Sequence, residues 1–312
     1  MYLVCGEALF DFFSEDEAGG PASQVNFKAI AGGSPFNVAV GLRRLGVESA
    51  LFAGLSTDYL GRRLHQVLLN ESVSGRYLVD VDAPTTLAMV AVGANGSPHY
   101  SFRGEGCADR QLSLEHLPTL GPEVRGLHVG SFALVEQPIA DTLLALVQRE
   151  SGRRLISLDP NVRLNPQPDI ELWRSRIATL VQYADLIKVS DEDLSLLYPG
   201  QDPQTVVEGW LKHRCELVFL TRGGQGATVF SRRYGSWSMP ARPVKIADTV
   251  GAGDTFQAAL IAWLTERQLD SAEALGALTR DQVSEMLGFA INAAALTCSK
   301  TGPDLPYRQQ LI

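Results

Sequence analysis

The sequence has few cysteines, no excess of basic residues and no long apolar run. Its four cysteines among 312 residues lie far apart, without a CxxC pair or a histidine at ligand spacing, which argues against a zinc site or a disulfide framework. A formal net charge of −8 argues against nucleic acid as the main partner, because binding a phosphate backbone needs a basic face. No apolar run reaches the length of a membrane span, and the first residues lack the basic region and cleavage site of an export signal. We therefore expect a cytoplasmic protein with reduced thiols and no membrane partner.

Runs rich in β-forming residues alternate with helical patterns along the chain. GLHVGSF, RLISLDP and DLIKVS are each followed by a stretch with apolar residues at helical spacing. Repeated units of this kind predict an α/β fold with a central, mostly parallel sheet flanked by helices, and ligands at the carboxyl ends of the strands. With 45% hydrophobic residues the chain can bury one large core, so we expect a single domain over residues 1–312.

One region departs from this alternation. TTLAMVAVGANGSPHYSFR contains two β-rich runs around the turn signal Ala94-Asn95-Gly96, a pattern that predicts a hairpin. Together with the segment around residues 24–30, it predicts a small sheet that stands off the main one. The strands of this expected lid fall within residues 10–31 and 85–105.

The N-terminal part of the chain carries three further structural predictions. YLVCGEAL is expected to form one strand of the main sheet, with Asp11 at its carboxyl end. The acidic, glycine-rich stretch 14–23 is expected to be an exposed loop. In SPFNVAVGLRRL, Ser34 is the expected N-cap of a helix, with Pro35 in its first turn.

The strongest chemical pattern is DTVGAGDTFQAALIAWL, residues 248–264. Gly251, Ala252 and Gly253 form a turn whose backbone N–H groups can converge, and an apolar helix follows at once. Such an anion cradle stabilises the charge on a phosphoryl group in transfer. Asp254 lies at its mouth, where a carboxylate is suited to accept the proton of an attacking hydroxyl. From this segment alone, Asp254 as a simple helix-capping residue is the favoured alternative.

The whole segment resembles the second signature of the ribokinase-like (PfkB) carbohydrate kinases, in which a run of small residues precedes the catalytic Asp. AGGSPFNVAVGLRRLG, residues 31–46, is similar to the first signature of that family. The resemblance extends over nearly the full chain, and its segments look more like those of fructokinases than those of ribokinases or adenosine kinases. The further segments that carry it are GEALFDF, FRGEGCAD, LDPNVR, KVSDEDL, LTRGGQGA and NAAALTCSKTG. The resemblance implies a ribokinase-like fold with a small β-sheet lid and ATP-dependent phosphorylation of a sugar.

The resemblance also implies a set of sugar contacts, each with a plainer alternative. Glycines permit close backbone approach to a ligand but also occur in ordinary βα turns. A carboxylate suits paired sugar hydroxyls, and arginines suit phosphate or carboxylate groups, yet exposed Asp and Arg residues are commonplace. The expected sugar-binding residues are Asp11, Gly32, Gly33, Asn37, Arg103 and Arg163.

Nucleotide and metal contacts follow from the same resemblance. A plain hairpin turn at LTRGGQGA and an ordinary helix-face Asn remain the alternatives for part of the nucleotide set. The expected nucleotide-binding residues are Ser190, Thr221, Gly223, Gly226 and Asn292. The family's Asn-x-x-Glu is replaced by Ser190-Asp191-Glu192-Asp193, so Asp193 is expected to hold Mg²⁺ through water rather than directly. The loop at Asp248 and Val250, with residues 299–302, resembles the family's monovalent-cation site and points to K⁺.

These observations lead to one preferred function with two alternatives. We expect an ATP- and Mg²⁺-dependent kinase that converts D-fructose to fructose 6-phosphate, with a homodimer formed through the lid. A 2-keto-3-deoxygluconate kinase shares these motifs. A catalytically silent sugar- or nucleotide-binding regulator on the same fold is the alternative from outside the enzymes.

Overall fold

The computed structural model describes residues 1–15, 23–92 and 98–311. The predicted turn at Ala94-Asn95-Gly96 and most of the predicted loop at 14–23 lie outside the described residues. Within them, no helix is long and apolar enough to cross a bilayer. The cysteines, all of which fall in these ranges, are free thiols.

The described elements alternate as the sequence pattern predicts. The strands are β1 (Tyr2–Cys5), β2 (Leu9–Ser14), β3 (Phe27–Gly32), β4 (Ser49–Ser56), β5 (Leu78–Val81), β6 (Leu87–Val92), β7 (Pro98–Arg103), β8 (Gly126–Gly130), β9 (Leu155–Asp159), β10 (Leu186–Ser190), β11 (Leu217–Thr221), β12 (Ala227–Ser231) and β13 (Gly235–Met239). The helices are α1 (Ser34–Arg44), α2 (Tyr59–Asn70), α3 (Ile139–Glu150), α4 (Ile170–Leu180), α5 (Asp191–Leu197), α6 (Pro203–Trp210), α7 (Ala252–Glu266), α8 (Ala272–Ala277) and α9 (Arg280–Cys298).

A nine-stranded sheet forms the centre of the molecule, in the order β13-β12-β11-β10-β9-β8-β1-β4-β5. Its strands run parallel from β11 to β5, and β12 and β13 add an antiparallel edge. One face is covered by α1, α2, α7, α8 and α9, and the other by α3 to α6, each with its own apolar core. The prediction of a mostly parallel sheet flanked by helices is confirmed.

A second sheet has four strands in the order β3-β2-β6-β7. We call it the small sheet. β2 pairs antiparallel with β3 and parallel with β6, which pairs antiparallel with β7. These strands lie where the sequence predicts the strands of a small separate sheet.

The first segment is divided between the two sheets, so the prediction of one continuous strand is wrong. β1 ends at Cys5, and the chain enters the small sheet at Leu9. The break lies at Gly6, whose φ of 144° favours glycine and where an added Cβ would lie 2.5 Å from Pro35 Cγ. Asp11 therefore lies within β2 of the small sheet and not at the carboxyl edge of the main sheet.

Helix α1 begins one residue earlier than the pattern predicts. Gly33 is its N-cap, and Ser34 is the first helical residue, with Pro35 in the first turn. Because Ser34 lies inside the helix, its hydroxyl does not occupy the N-cap position. It is free to bond across to another element, and it does so in the candidate site.

Candidate active site

The residues of the predicted anion cradle lie at the N-terminus of α7. Its N-cap, Gly251, has a left-handed φ of 78° and makes no side-chain capping bond, so the first-turn N–H groups of Gly253 and Asp254 have no side-chain cap at that position. An added Cβ at Gly251 would lie 2.9 Å from Pro303 Cβ, so this position has no room for another residue. The amide of Ala252 donates instead to Thr249 O at 3.2 Å. The amide of Ala252 is therefore not available to an anion, and the site has fewer free amides than the three predicted residues would supply.

Asp254 is held by side chains from α1. Its carboxylate accepts a hydrogen bond from Ser34 Oγ at 2.6 Å on Oδ1 and one from Asn37 Nδ2 at 2.8 Å on Oδ2. Asp254 is 7% exposed. The carboxylate is therefore fixed in one orientation at the mouth of the cradle, as a general base requires.

Asp11 lies in the small sheet, close enough to Asp254 for the two carboxylates to interact. Burial raises the pKa of Asp11 to about 6, the negative charge of Asp254 acts in the same direction, and the positive charge of Arg163 opposes it. An added Cβ at Gly32 would clash with Asp11 Oδ2, so the carboxylate lies directly against this glycine. Gly33 follows as the N-cap of α1. The structure therefore brings together Asp11, Gly32, Gly33, Asn37 and Asp254.

The two arginines of the predicted sugar set are both exposed. Arg163 donates to Val162 O at 2.9 Å and is near enough to Asp11 to affect its pKa. Arg103 ends β7, opposite Leu87 in the register of the small sheet. Arg163 thus lies at the candidate sugar site, and Arg103 lies at the end of a strand of the small sheet.

The predicted nucleotide residues lie at the carboxyl ends of neighbouring strands. Ser190 ends β10 and pairs in register with Thr221 at the end of β11. Gly223 begins the short 3₁₀ turn that joins β11 to β12, so the hairpin described as the plainer alternative is the local structure. Gly226 ends that turn, and Asn292 is exposed on α9. A nucleotide at this edge would lie between the hairpin and α9.

Both carboxylate oxygens of Asp193 accept hydrogen bonds from the protein. Its Oδ1 accepts a bond from Val162 N at 2.7 Å, and Oδ2 accepts from Ser190 N at 3.2 Å and Ser190 Oγ at 2.7 Å. No group of three or more His, Cys, Asp or Glu side chains among the described residues is arranged to hold a metal. These residues fit a Mg²⁺ ion that keeps its waters and is bound mainly by phosphate oxygens.

Asp248 fastens the loop before α7 to the C-terminal stretch. Its Oδ1 accepts bonds from Thr249 N at 2.7 Å and Val250 N at 3.1 Å, and its Oδ2 accepts one from Gly302 N at 2.9 Å. The structure therefore brings Asp248 and Val250 next to residues 299–302. Backbone carbonyls of these two stretches would supply the oxygen ligands of a monovalent cation.

Two charged groups of the site were not predicted from the sequence. Lys188 Nζ donates to Asp159 Oδ2 at 2.9 Å, and their side chains are 5% and 1% exposed. The ammonium lies 2.9 Å from the position that a Cβ on Gly253 would take. A lysine within the apolar run DLIKVS was the available signal, because a buried strand rarely carries an unpaired charge.

Glu7 is a third missed group, in the segment between the two sheets. It is 1% exposed, and burial raises its pKa to about 8, so it is mostly protonated at neutral pH. It hydrogen-bonds Ser131, and the charges of Asp109 and Asp254 raise its pKa further. An added Cβ at Gly33 would lie 2.9 Å from Glu7 O, so Glu7 packs beneath the turn that precedes α1.

Comparison with known proteins identifies the family. The model of the pfkB family carbohydrate kinases matches residues 1–310. This chain belongs to the pfkB family of carbohydrate kinases. The resemblance of its motifs to that family is thereby confirmed, and so is the prediction that it is an ATP-dependent sugar kinase.

Individual members of the pfkB family show similarity over most of their length. The chain is 36% identical over 279 residues to a fructokinase of Rhizobium leguminosarum bv. trifolii, covering 88% of this chain and 84% of that one. A fructokinase of Xylella fastidiosa, solved with bound ATP, superposes with a TM-score of 0.89 at 25% identity, over 99% of this chain and 96% of that one. A double mutant of Vibrio cholerae O395 fructokinase, with fructose, ADP and a potassium ion, gives a TM-score of 0.83 at 26% identity, over 99% and 96%.

Proposed function

We propose that this pfkB kinase is a fructokinase that phosphorylates the terminal primary hydroxyl of D-fructose to give fructose 6-phosphate. One observation carries the proposal: Asp254 lies between the first-turn amides of α7 and the Asp11 carboxylate, oriented by two side chains of α1. A base, an anion cradle and a hydroxyl-binding carboxylate therefore meet at one point. The fructokinase relatives support fructose as the acceptor.

The geometry supports in-line transfer. Asp254 accepts the proton of the sugar hydroxyl, the oxygen forms a bond to the γ-phosphorus, and the bond from that phosphorus to the ADP oxygen breaks. The first-turn amides of α7 stabilise the negative charge on the phosphoryl oxygens during the transfer. Asp11, Gly33 and Asn37 hold the sugar.

ATP lies, in this proposal, along the carboxyl ends of β10 and β11, where Ser190, Thr221, Gly223 and Gly226 contact it, with Asn292 beside the base. Magnesium bound to ATP would neutralise phosphate charge, with its waters bonded around Ser190 and Asp193. Potassium is proposed at the loop of Asp248 and Val250, and the potassium ion bound by Vibrio cholerae fructokinase supports it.

The small sheet closes over the sugar and excludes water, which would otherwise attack the phosphorus.

We propose that two copies of the chain associate through the same sheet, because β3 and β7 are its two edge strands. An intracellular location in the cytoplasm agrees with the free thiols of all four cysteines.

A second candidate function is 2-keto-3-deoxygluconate phosphorylation. The observation that favours it is Arg163, whose charge acts on Asp11 within the candidate sugar site. A charge-assisted, bidentate bond from an arginine would favour a sugar acid over a neutral ketose. The two candidates therefore differ in whether an arginine, Arg103 or Arg163, binds a carboxylate of the substrate.

A coupled assay of ADP formation on a panel of sugars tests the proposal, with Arg103→Met and Arg163→Met as the probes. If fructose is the substrate, it has the highest kcat/KM, and each substitution lowers activity without changing the order of neutral and acidic sugars. Arg153→Met, an exposed arginine before β9, is the matched control. A higher kcat/KM for 2-keto-3-deoxygluconate, abolished by Arg163→Met or Arg103→Met, would establish the second candidate. Binding of fructose without phosphorylation of any sugar would establish a silent regulator.

A further inference from the structure

Lys188 is a full positive charge in the interior of the protein. It lies on β10 and is 4% exposed. Burying an ammonium costs several kcal/mol unless a partner compensates it. Asp159, at the end of the neighbouring strand β9, supplies that partner through the 2.9 Å bond to Nζ.

The pair has hydrogen-bonding capacity that the protein leaves unused. An ammonium has three donors, and the described residues give Lys188 one hydrogen bond, to Asp159. Oδ1 of Asp159 also lacks a partner among the described residues, although Asp159 is 0% exposed. Buried polar groups are normally satisfied, so the two unused donors of the ammonium indicate a further group that accepts hydrogen bonds there.

The position of the ammonium favours an anionic group. Nζ lies 2.9 Å from the point where a Cβ of Gly253 would be, against the first turn of α7. The ammonium adds a full positive charge to the partial positive charge at this end of the helix, so an anion placed here would be stabilised by both. Burial alone would lower the pKa of Lys188, but the charges of Asp159, Asp193 and Asp254 outweigh it and raise the pKa. The ammonium is therefore charged when the anion arrives.

We propose that Lys188 is a catalytic residue of the anion cradle, whose ammonium binds an oxygen of the γ-phosphoryl group during its transfer. The first-turn amides of α7 provide only partial charges, and Lys188 adds one full charge to them. Asp159 holds the ammonium in place. This inference rests on the proposed kinase reaction at the same site and adds the group that neutralises its charge.

The competing explanation is that the pair only joins β9 to β10. Removal of Lys188 would then act by leaving Asp159 buried and unpaired, which is destabilising. The double variant Lys188→Met/Asp159→Asn separates the two explanations, because no unpaired charge remains in it. A purely structural pair predicts that this variant recovers both stability and activity.

The experiment measures turnover, thermal unfolding and ligand binding for the wild type, Lys188→Met, Asp159→Asn and the double variant. Removing a donor from such a cradle lowers kcat by on the order of 10²–10³, so we expect this loss in Lys188→Met. The double variant should regain the wild-type Tm but keep the low kcat. In Asp159→Asn the ammonium keeps its charge, so the loss of kcat should be smaller. Recovery of kcat in the double variant to within a few-fold of the wild type would overturn the proposal.

Binding measurements keep this test separate from the fructokinase proposal. By calorimetry, the wild type should bind Mg·ATP more tightly than Mg·ADP, and the double variant should lose that preference while fructose binding is unchanged. An unchanged preference for ATP contradicts the role of Lys188, whichever sugar is the substrate. A wild type that turns over another sugar instead of fructose contradicts the fructokinase proposal only, and kcat is then compared on that sugar. If Lys188→Met alone does not fold, the double variant carries the comparison.

Discussion

Ser34 Oγ donates a hydrogen bond of 2.6 Å to Oδ1 of Asp254, although 220 positions separate the two residues in the sequence. Ser34 is the first residue of α1, and Asp254 lies in the first turn of α7, so the bond joins the N-termini of two helices. The orientation of the candidate base is thus set by a different helix from the one that carries it.

Replacement of Ser34 by Ala should impair turnover more than sugar affinity. The hydrogen bond is made to a charged, buried carboxylate, and bonds of this kind contribute about 1.5–3 kcal/mol. We expect kcat to fall by about ten-fold or more, with the KM for fructose changing less. Ser34→Thr keeps the hydroxyl and is the matched control. Equal kcat values for the Ala variant and the wild type would show that Asn37 alone orients Asp254.

Replacement of Asp254 by Asn should preserve the fold and abolish most of the activity. The amide cannot accept the hydroxyl proton, and loss of a general base typically costs on the order of 10²–10⁴ in rate. ATP binding and Tm should change little. Asp281→Asn, in the first turn of α9, is a control for the general effect of an acidic residue near a helix start. A near-normal kcat with an unchanged Tm would remove Asp254 from the role of base.

Replacement of Gly253 by Ala should damage the cradle through a steric contact with Lys188. The added methyl would lie 2.9 Å from Nζ, and the buried ammonium would have to move away from Asp159 or from the helix. We expect a lower Tm and a lower kcat, measured by thermal unfolding and the coupled assay. Gly209→Ala in α6 has open space around the new methyl and should be neutral or stabilising. A Gly253→Ala variant as active as the wild type would mean that the ammonium lies elsewhere in solution.

The stability of the protein should carry a pH dependence that originates at Glu7. Its pKa is raised from 4.5 to about 8, chiefly by burial, so the folded state binds more protons than the unfolded state between these values. Stability is therefore lost as the pH rises through this window, and the loss between pH 4.5 and pH 7 is about 3 kcal/mol. Glu7→Gln does not titrate, so its Tm relative to the wild type should increase from pH 5 to pH 8. Parallel curves for the two proteins would contradict this origin.

The helices were predictable because their apolar spacing and boundary residues agree. YLGRRLHQVLLN coincides with α2, and its N-cap Asp58 accepts the amide of Gly61 as such a boundary requires. The division of YLVCGEALFDF between two sheets was not predictable, because its apolar run is continuous and only Gly6 marks the break. Asp11 was consequently assigned to the wrong sheet, although it lies against Gly32 and near Asp254.

The site was predictable only where a motif brings its residues together in the sequence. Gly251, Gly253 and Asp254 form one such motif, and they lie together at the N-terminus of α7. Lys188 and Asp159 lie on adjacent strands, and their relation to Gly253 depends on how α7 packs over the sheet. No local sequence pattern encodes that packing, so the position of the Lys188 charge beside the first turn of α7 could be found only from the structure.

Two of the candidate sugar contacts are carried by a different sheet from the candidate phosphoryl contacts. Asp11 and Arg103 are carried by the small sheet, whereas Asp254 and Lys188 are carried by α7 and the main sheet. Substitutions in the small sheet can therefore alter which sugar is accepted while the groups that transfer the phosphoryl group stay in place. Acceptor specificity and transfer chemistry can accordingly diverge at separate rates in evolution.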